Sequence, residues 1–220
     1  MARTIWVEGT SIEFGLGVAF SYINRALYPG GYLVINNARA SRTIANNANN
    51  NTGATNSITA QLTGAGGLRD TLGPTNGANY VVYIGSGNTN DAYFGTGGAQ
   101  SWTDFVTLLG LIRGYAPLAA IVMGEPFPRG DTNWSTSPVW DSTWGSSSVG
   151  PNQALADFTA LARANWRAVG LARPPVNLNP VGAFGSPDSN TYYFQDTCHP
   201  TTAGHALAGA EWQLSRAWEA

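Results

Sequence analysis

The segment "YVVYIG" at 80–85 is apolar at nearly every position and ends on glycine. Four other runs share its character: "TIWVE" (4–8), "GYLVIN" (31–36), "AAIVMG" (119–124) and "PVNLNP" (175–180). A strand with one face in water alternates apolar and polar residues, whereas a strand covered on both faces does not. These runs, bounded by turn residues, therefore predict a parallel sheet buried between two layers. Helical spacing fills the intervals: at 16–28, where Leu16, Phe20, Ile23 and Leu27 share a face, and at roughly 55–72, 101–115, 152–169 and 201–218. The alternation predicts an α/β fold, a three-layer α/β/α sandwich around a central five-stranded parallel sheet with right-handed crossovers. A chain of 220 residues without a break in composition fits a single domain, 1–220. Sites in such sheets form beyond the carboxyl ends of the strands, which is where functional residues are to be sought.

Composition narrows the function classes. Charged residues are only 11% of the chain and the net charge is -2. All the basic residues are arginines, scattered from Arg3 to Arg216 without forming a stripe, so binding of nucleic acid by phosphate neutralisation is not expected. The amide-rich, low-charge surface suits neutral partners. No run reaches the ~20 apolar residues of a membrane-spanning helix. The opening "MARTIWVEG" lacks a signal-peptide core, and the expectation is a soluble protein, either not exported or already processed. The single Cys198 forms no internal disulfide and reads as a buried small residue of its turn. With two histidines six positions apart and one cysteine, no closed zinc set is visible, and neither metal nor cofactor is expected.

Each strand end carries polar chemistry. After the first comes "VEGTSIEFGLG" (7–17), which places Ser11 at a strand-to-helix junction, where a serine more commonly serves as a helix N-cap. After the second and third come "INNARASRT" (35–43) and "IGSGNTNDAYFG" (84–95), rich in small residues and asparagine. Their backbone N–H groups and side-chain amides are the donors that an oxyanion hole needs. Both histidines lie in "DTCHPTTAGH". Asp196 stands three residues before His199, a spacing that lets a carboxylate hold one tautomer of the imidazole while the other ring nitrogen takes a proton from Ser11. His205 has no carboxylate at comparable spacing and reads as structural.

In order and spacing these blocks resemble the SGNH (GDSL) hydrolase superfamily over nearly the whole chain. "GTSIEFG" resembles its first block, "NNARASRT" the second, "NTNDAYFG" the third and "DTCHP" the last. The resemblance implies a flavodoxin-like sandwich and a catalytic triad of Ser11, His199 and Asp196. It also implies an oxyanion hole from the N–H groups of Ser11 and Ser41 and the amide of Asn90. The sequence departs from the pattern in three places. Thr10 replaces the aspartate that usually precedes the nucleophile, Ser41 replaces a glycine, and "GSGNTND" is longer than usual, so that Asn88 competes with Asn90 as the donor.

The chemistry so implied is acyl transfer to water on a short-chain carboxylic ester. The second block resembles carbohydrate acetylesterases through Arg42, which points to acetyl groups on sugars. The long connection at 128–151 carries Trp134, Trp140 and Trp144, which either stack on sugar rings or anchor the loop to the body. The Asn-rich stretch at 46–56 reads as solvated surface. A rival reading, favoured by Thr10 and Ser41, is a non-catalytic glycan-binding or structural module on the same scaffold.

Overall fold

The computed structural model describes residues 3–15, 17, 21–25, 32–50, 56–63, 69–70, 77–86, 88–179, 182 and 184–219. Strands β1 (Arg3–Glu8), β2 (Tyr32–Asn36), β3 (Tyr80–Ile84) and β4 (Ala120–Met123) form a parallel sheet in the order β2-β1-β3-β4. Between and after them run α1 (Ser11–Phe14), α2 (Tyr22–Arg25), α3 (Ile58–Thr63), α4 (Thr89–Tyr93), α5 (Gly98–Tyr115), α6 (Asp131–Trp134), α7 (Trp140–Trp144), α8 (Val149–Asn165) and α9 (Thr202–Ser215).

Alternate strand residues enter opposite layers, as a pleated strand requires. Trp6, Val82, Ile84, Ile121 and Met123 pack with Phe105, Leu108 and Ile112 of α5 and Phe158 of α8. Ile5, Val7, Val81, Tyr83 and Val122 pack with Tyr22 of α2 and Trp212 of α9. Both faces are covered, and this accounts for the near-continuous apolar runs.

The sheet has four strands among the described residues, where the sequence predicts five. The segment at 175–180 lies beside β4 but pairs through one parallel bridge, Gly124 with Val176. Pro175 has no N–H to add to the ladder, and the Asn177 side chain accepts from the Asn179 N–H at 2.8 Å, turning the chain away after that bridge.

The long helices agree with the spacing to within a few residues. α8 starts three positions before its expected start at 152, with Pro151 in its first turn, where a missing N–H costs nothing. α9 is capped by Thr201 Oγ1 on the Gly204 N–H and ends at Arg216, whose φ is 48°. Of the helix expected at 16–28 only Tyr22–Arg25 is described as helical, and of that at 55–72 Ile58–Thr63 together with Arg69 and Asp70, much of the remainder falling outside the described residues. No helix among the described residues is long and apolar enough to cross a membrane.

Candidate active site

Strand order reverses at β1: the chain passes from β1 to β2 on one side, then returns to β3 on the other. The crevice at such a switch point opens where the loops after β1 and its neighbours diverge. Ser11 follows β1, Ser41 follows β2, and Asn90 follows β3, so neighbouring strands deliver all three to one rim. The loop after β2 is held alongside that of β1 by bonds from the Asn37 N–H to the Val7 carbonyl at 2.9 Å and from the Arg39 N–H to the Gly9 carbonyl at 3.3 Å.

The cap of α1 is Thr10, whose Oγ1 accepts from the Ile12 N–H, while the Glu13 carboxylate accepts from the Thr10 N–H at 2.9 Å. Capping duty therefore falls to Thr10 and leaves the Ser11 hydroxyl for other contacts. Ser11 Oγ lies 2.7 Å from His199 Nε2, and His199 Nδ1 lies 2.6 Å from Asp196 Oδ2. Asp196 uses its other oxygen on the backbone, accepting from the His199 N–H at 2.7 Å and the Cys198 N–H at 3.3 Å. One carboxylate thus closes the turn and aims the ring. Partial burial pushes Asp196 upward, but the hydrogen bonds and charge of His199, with the Cys198 N–H, outweigh it and hold the carboxyl below its ordinary value.

A pocket of about 180 Å³ opens beside this chain, lined among others by Ser11, Ser41, Asn90, Arg129, Asn133 and His199. Neither the Ser11 nor the Ser41 N–H is engaged in a backbone–backbone bond among the described residues. Asn90 Nδ2 donates to the Arg42 carbonyl at 2.9 Å, and its Oδ1 accepts from Arg129 Nη2 at 3.1 Å. A cationic donor demands the oxygen and a carbonyl demands the NH₂, which fixes the amide's orientation and leaves its second N–H as its remaining donor. Asn88 is elsewhere: fully buried, it donates to the Ala154 carbonyl of α8 at 3.3 Å.

Ser41 takes φ of 58°, the left-handed region that favours glycine, the residue the family resemblance expects there. The Asn-rich stretch is not mere solvated surface. Asn50 Nδ2 donates to the Ser41 carbonyl at 2.8 Å and Asn56 Nδ2 to the Ala40 carbonyl at 3.2 Å, so both brace the loop. Residues 51–55 of that stretch lie outside the described residues.

Beneath the site sits Glu13, completely buried. Besides Thr10 it accepts from Ser86 Oγ at 2.8 Å and Tyr22 Oη at 3.1 Å. Gly9 and Gly85 flank it so closely that a Cβ on either would stand 2.5 Å from a carboxyl oxygen. Burial raises its pKa against the lowering effect of these hydrogen bonds.

Arg42 does not face the pocket: it is fully buried and its Nη1 pairs with Glu8 Oε2 at 2.5 Å. A carboxylate inside the apolar run of β1 needs a buried cation, and that was the signal for this pair. The pocket's arginine is instead Arg129, after β4, which nothing in its own segment singles out. Trp134 is fully buried with Nε1 on Asn152 Oδ1 at 2.8 Å, and Trp144 Nε1 donates to the Ala92 carbonyl at 3.1 Å. Together with Trp140 they pack on Ala92, Ala154 and Leu155, so the tryptophans anchor the 128–151 connection. His205 is fully buried, its Nδ1 accepting from the Tyr22 N–H at 3.1 Å. Cys198 is also buried, which raises its thiol pKa.

No protein-family model matches the sequence, and a comparison with curated proteins gives no match. Solved structures do match. The psychrotrophic esterase EstA from Pseudoalteromonas sp. superposes with a TM-score of 0.60 at 12% identity, covering 97% of this chain and 96% of that one. TesA gives 0.56 at 17% identity over 98% and 99% of the two chains. A Parabacteroides merdae protein described as a GDSL-like lipase gives 0.58 at 15% identity over 97% and 94%. At these identities the likeness speaks to architecture alone: this chain has the parallel-sheet α/β fold of these structures.

Proposed function

We propose that the protein is a serine esterase that hydrolyses short-chain carboxylic esters. The observation that carries this reading is the continuous chain from Ser11 Oγ to His199 Nε2 at 2.7 Å and from His199 Nδ1 to Asp196 Oδ2 at 2.6 Å, beside a pocket lined by Ser11, Ser41 and Asn90. Ser11 attacks the ester carbonyl as His199 takes its proton, and Asp196 stabilises the imidazolium. The N–H groups of Ser11 and Ser41 and the Asn90 amide receive the oxyanion. His199 then protonates the leaving alcohol and activates water against the acyl-enzyme.

The volume of about 180 Å³ suits an acyl group of a few carbons, and the polar Arg129 and Asn133 on its wall do not make a channel for a long chain. Acetylated carbohydrate has less support as the natural substrate, since neither Arg42 nor the buried Trp134 meets the pocket. The non-catalytic module is disfavoured by the assembled triad geometry. Hydrolysis of p-nitrophenyl acetate, and labelling of Ser11 by a fluorophosphonate, both abolished in a folded Ser11→Ala protein, are the expected results. Parent-level turnover by that variant removes the reading.

A further inference from the structure

Arg129 orients the Asn90 amide, but the proposed reaction makes no use of its charge. Its side chain is buried at 8% exposure, and among the described residues no carboxylate lies within ion-pair distance of it. Its Nε is buried without a hydrogen-bond partner. The contacts that hold it bring no carboxylate to it: Asn90 Oδ1 accepts one hydrogen bond, the buried Cys198 thiol lies beside it, and the rings of Tyr93 and Trp134 lie 4.8 and 4.9 Å from the guanidinium carbon. Aromatic faces accommodate a cation through their quadrupole and supply no opposing net charge. A buried arginine is ordinarily paired with an anion. Here the unfilled side is the pocket, which Arg129 lines together with Ser11 and His199. Asn133 lines the same wall, and its amide oxygen is buried with no partner among the described residues. With no neighbour fixing that amide, it can turn its NH₂ toward an incoming oxygen.

We propose that Arg129, seconded by Asn133, makes the pocket selective for esters carrying a carboxylate on the acyl or the alcohol part. The claim rests on the esterase reading and names the substrate class for it. Guanidinium and carboxylate meet through charge-assisted hydrogen bonds, which discriminate strongly where water is excluded.

Two matched pairs separate the possible positions of the charge. Mono-p-nitrophenyl glutarate against p-nitrophenyl butyrate tests an acyl-borne carboxylate, and m-carboxyphenyl acetate against phenyl acetate tests an alcohol-borne one. The wild type is expected to favour the anionic member of one pair by about 10-fold to 100-fold in kcat/KM, the scale of a hydrogen bond to a charged group. That ratio should fall toward unity in Arg129→Gln and be partly kept in Arg129→Lys. Equal turnover within both pairs by the wild type, or a preference surviving Arg129→Gln, overturns the proposal. Should Arg129→Gln fail to fold, calorimetric titration of the wild type decides. Binding of glutarate in preference to neutral glutaramide supports the proposal, and equal or absent binding overturns it. Failure of the esterase reading shows itself separately, as absence of Ser11 labelling by the fluorophosphonate.

Discussion

The carboxyl group of Glu13 reaches back to hold the N–H of Thr10 at 2.9 Å, placing a buried acid directly beneath the turn that presents Ser11. Thr10 stands where the resembled family carries aspartate. A carboxyl group is nonetheless bonded to this turn, delivered from one helical turn downstream and sealed between Gly9 and Gly85. The substitution that most argued for a lapsed site is therefore matched by a local replacement.

Burial raises the Glu13 pKa, which sets the sign of a stability effect. The folded state holds the proton more tightly than the unfolded chain, so Glu13 favours folding most at low pH. Its contribution is lost as pH rises from the unfolded carboxyl value of about 4.3 through the raised folded one. Glu13→Gln keeps an acceptor for the Thr10 N–H and removes the titration. Thermal melts across this window should show the wild type losing stability relative to the variant as pH increases; parallel curves would count against a raised value.

Asn90 and Asn88 should separate by readout. Asn90→Ala is expected to lower kcat by about 10²-fold to 10³-fold, the usual scale for one oxyanion donor. Asn88→Ala should instead lower the melting temperature through its lost bond to the Ala154 carbonyl, with kcat much less affected. Steady-state kinetics beside thermal melts of both variants check the assignment.

Ser41 sits at φ of 58°, a conformation costing a non-glycine residue roughly 1 kcal/mol or more. Ser41→Gly should therefore be neutral or stabilising by about that amount in urea denaturation, while retaining the N–H offered to the oxyanion. Loss of more than 1 kcal/mol would mean that the serine side chain contributes a contact outweighing the strain.

Asp196→Asn should lower kcat by about 10⁴-fold, because an amide cannot enforce the same tautomer or stabilise the imidazolium. The stability that Asp196 contributes has the opposite pH sense from that of Glu13. Its folded pKa is depressed, so the contribution is present above the ordinary carboxylate value of about 3.9 and lost as pH falls through the folded one. Melts of wild type and variant should converge at low pH.

What the sequence disclosed depended on how local each relation was. Asp196 and His199 meet across three positions, and Ser11 follows a strand whose apolar run is unmistakable, so their meeting could be anticipated from strand order. The fifth strand was over-read because "PVNLNP" has the composition of a strand, yet Asn177 closes a turn within it. Arg129 lies in a segment without periodicity, and its meaning comes from Tyr93 and Trp134, one of them distant in sequence. The low overall charge suggests neutral partners, but an average over the sequence cannot resolve a single arginine buried, among the described residues, without an ion-pair partner.

The wall bearing Arg129 belongs to the connection between β4 and α8, whereas Ser11, Ser41, Asn90 and the Asp196–His199 turn are fixed to other parts of the frame. The two pieces meet at Arg129, which holds Asn90, and at Gly130, whose N–H donates to the Thr197 carbonyl, while the rest of the connection stands apart from the triad. Exchanging residues 131–148 for a different tryptophan-anchored insert, with Arg129 and Gly130 kept, offers a route to a reshaped pocket wall with the contacts to Asn90 and Thr197 left in place.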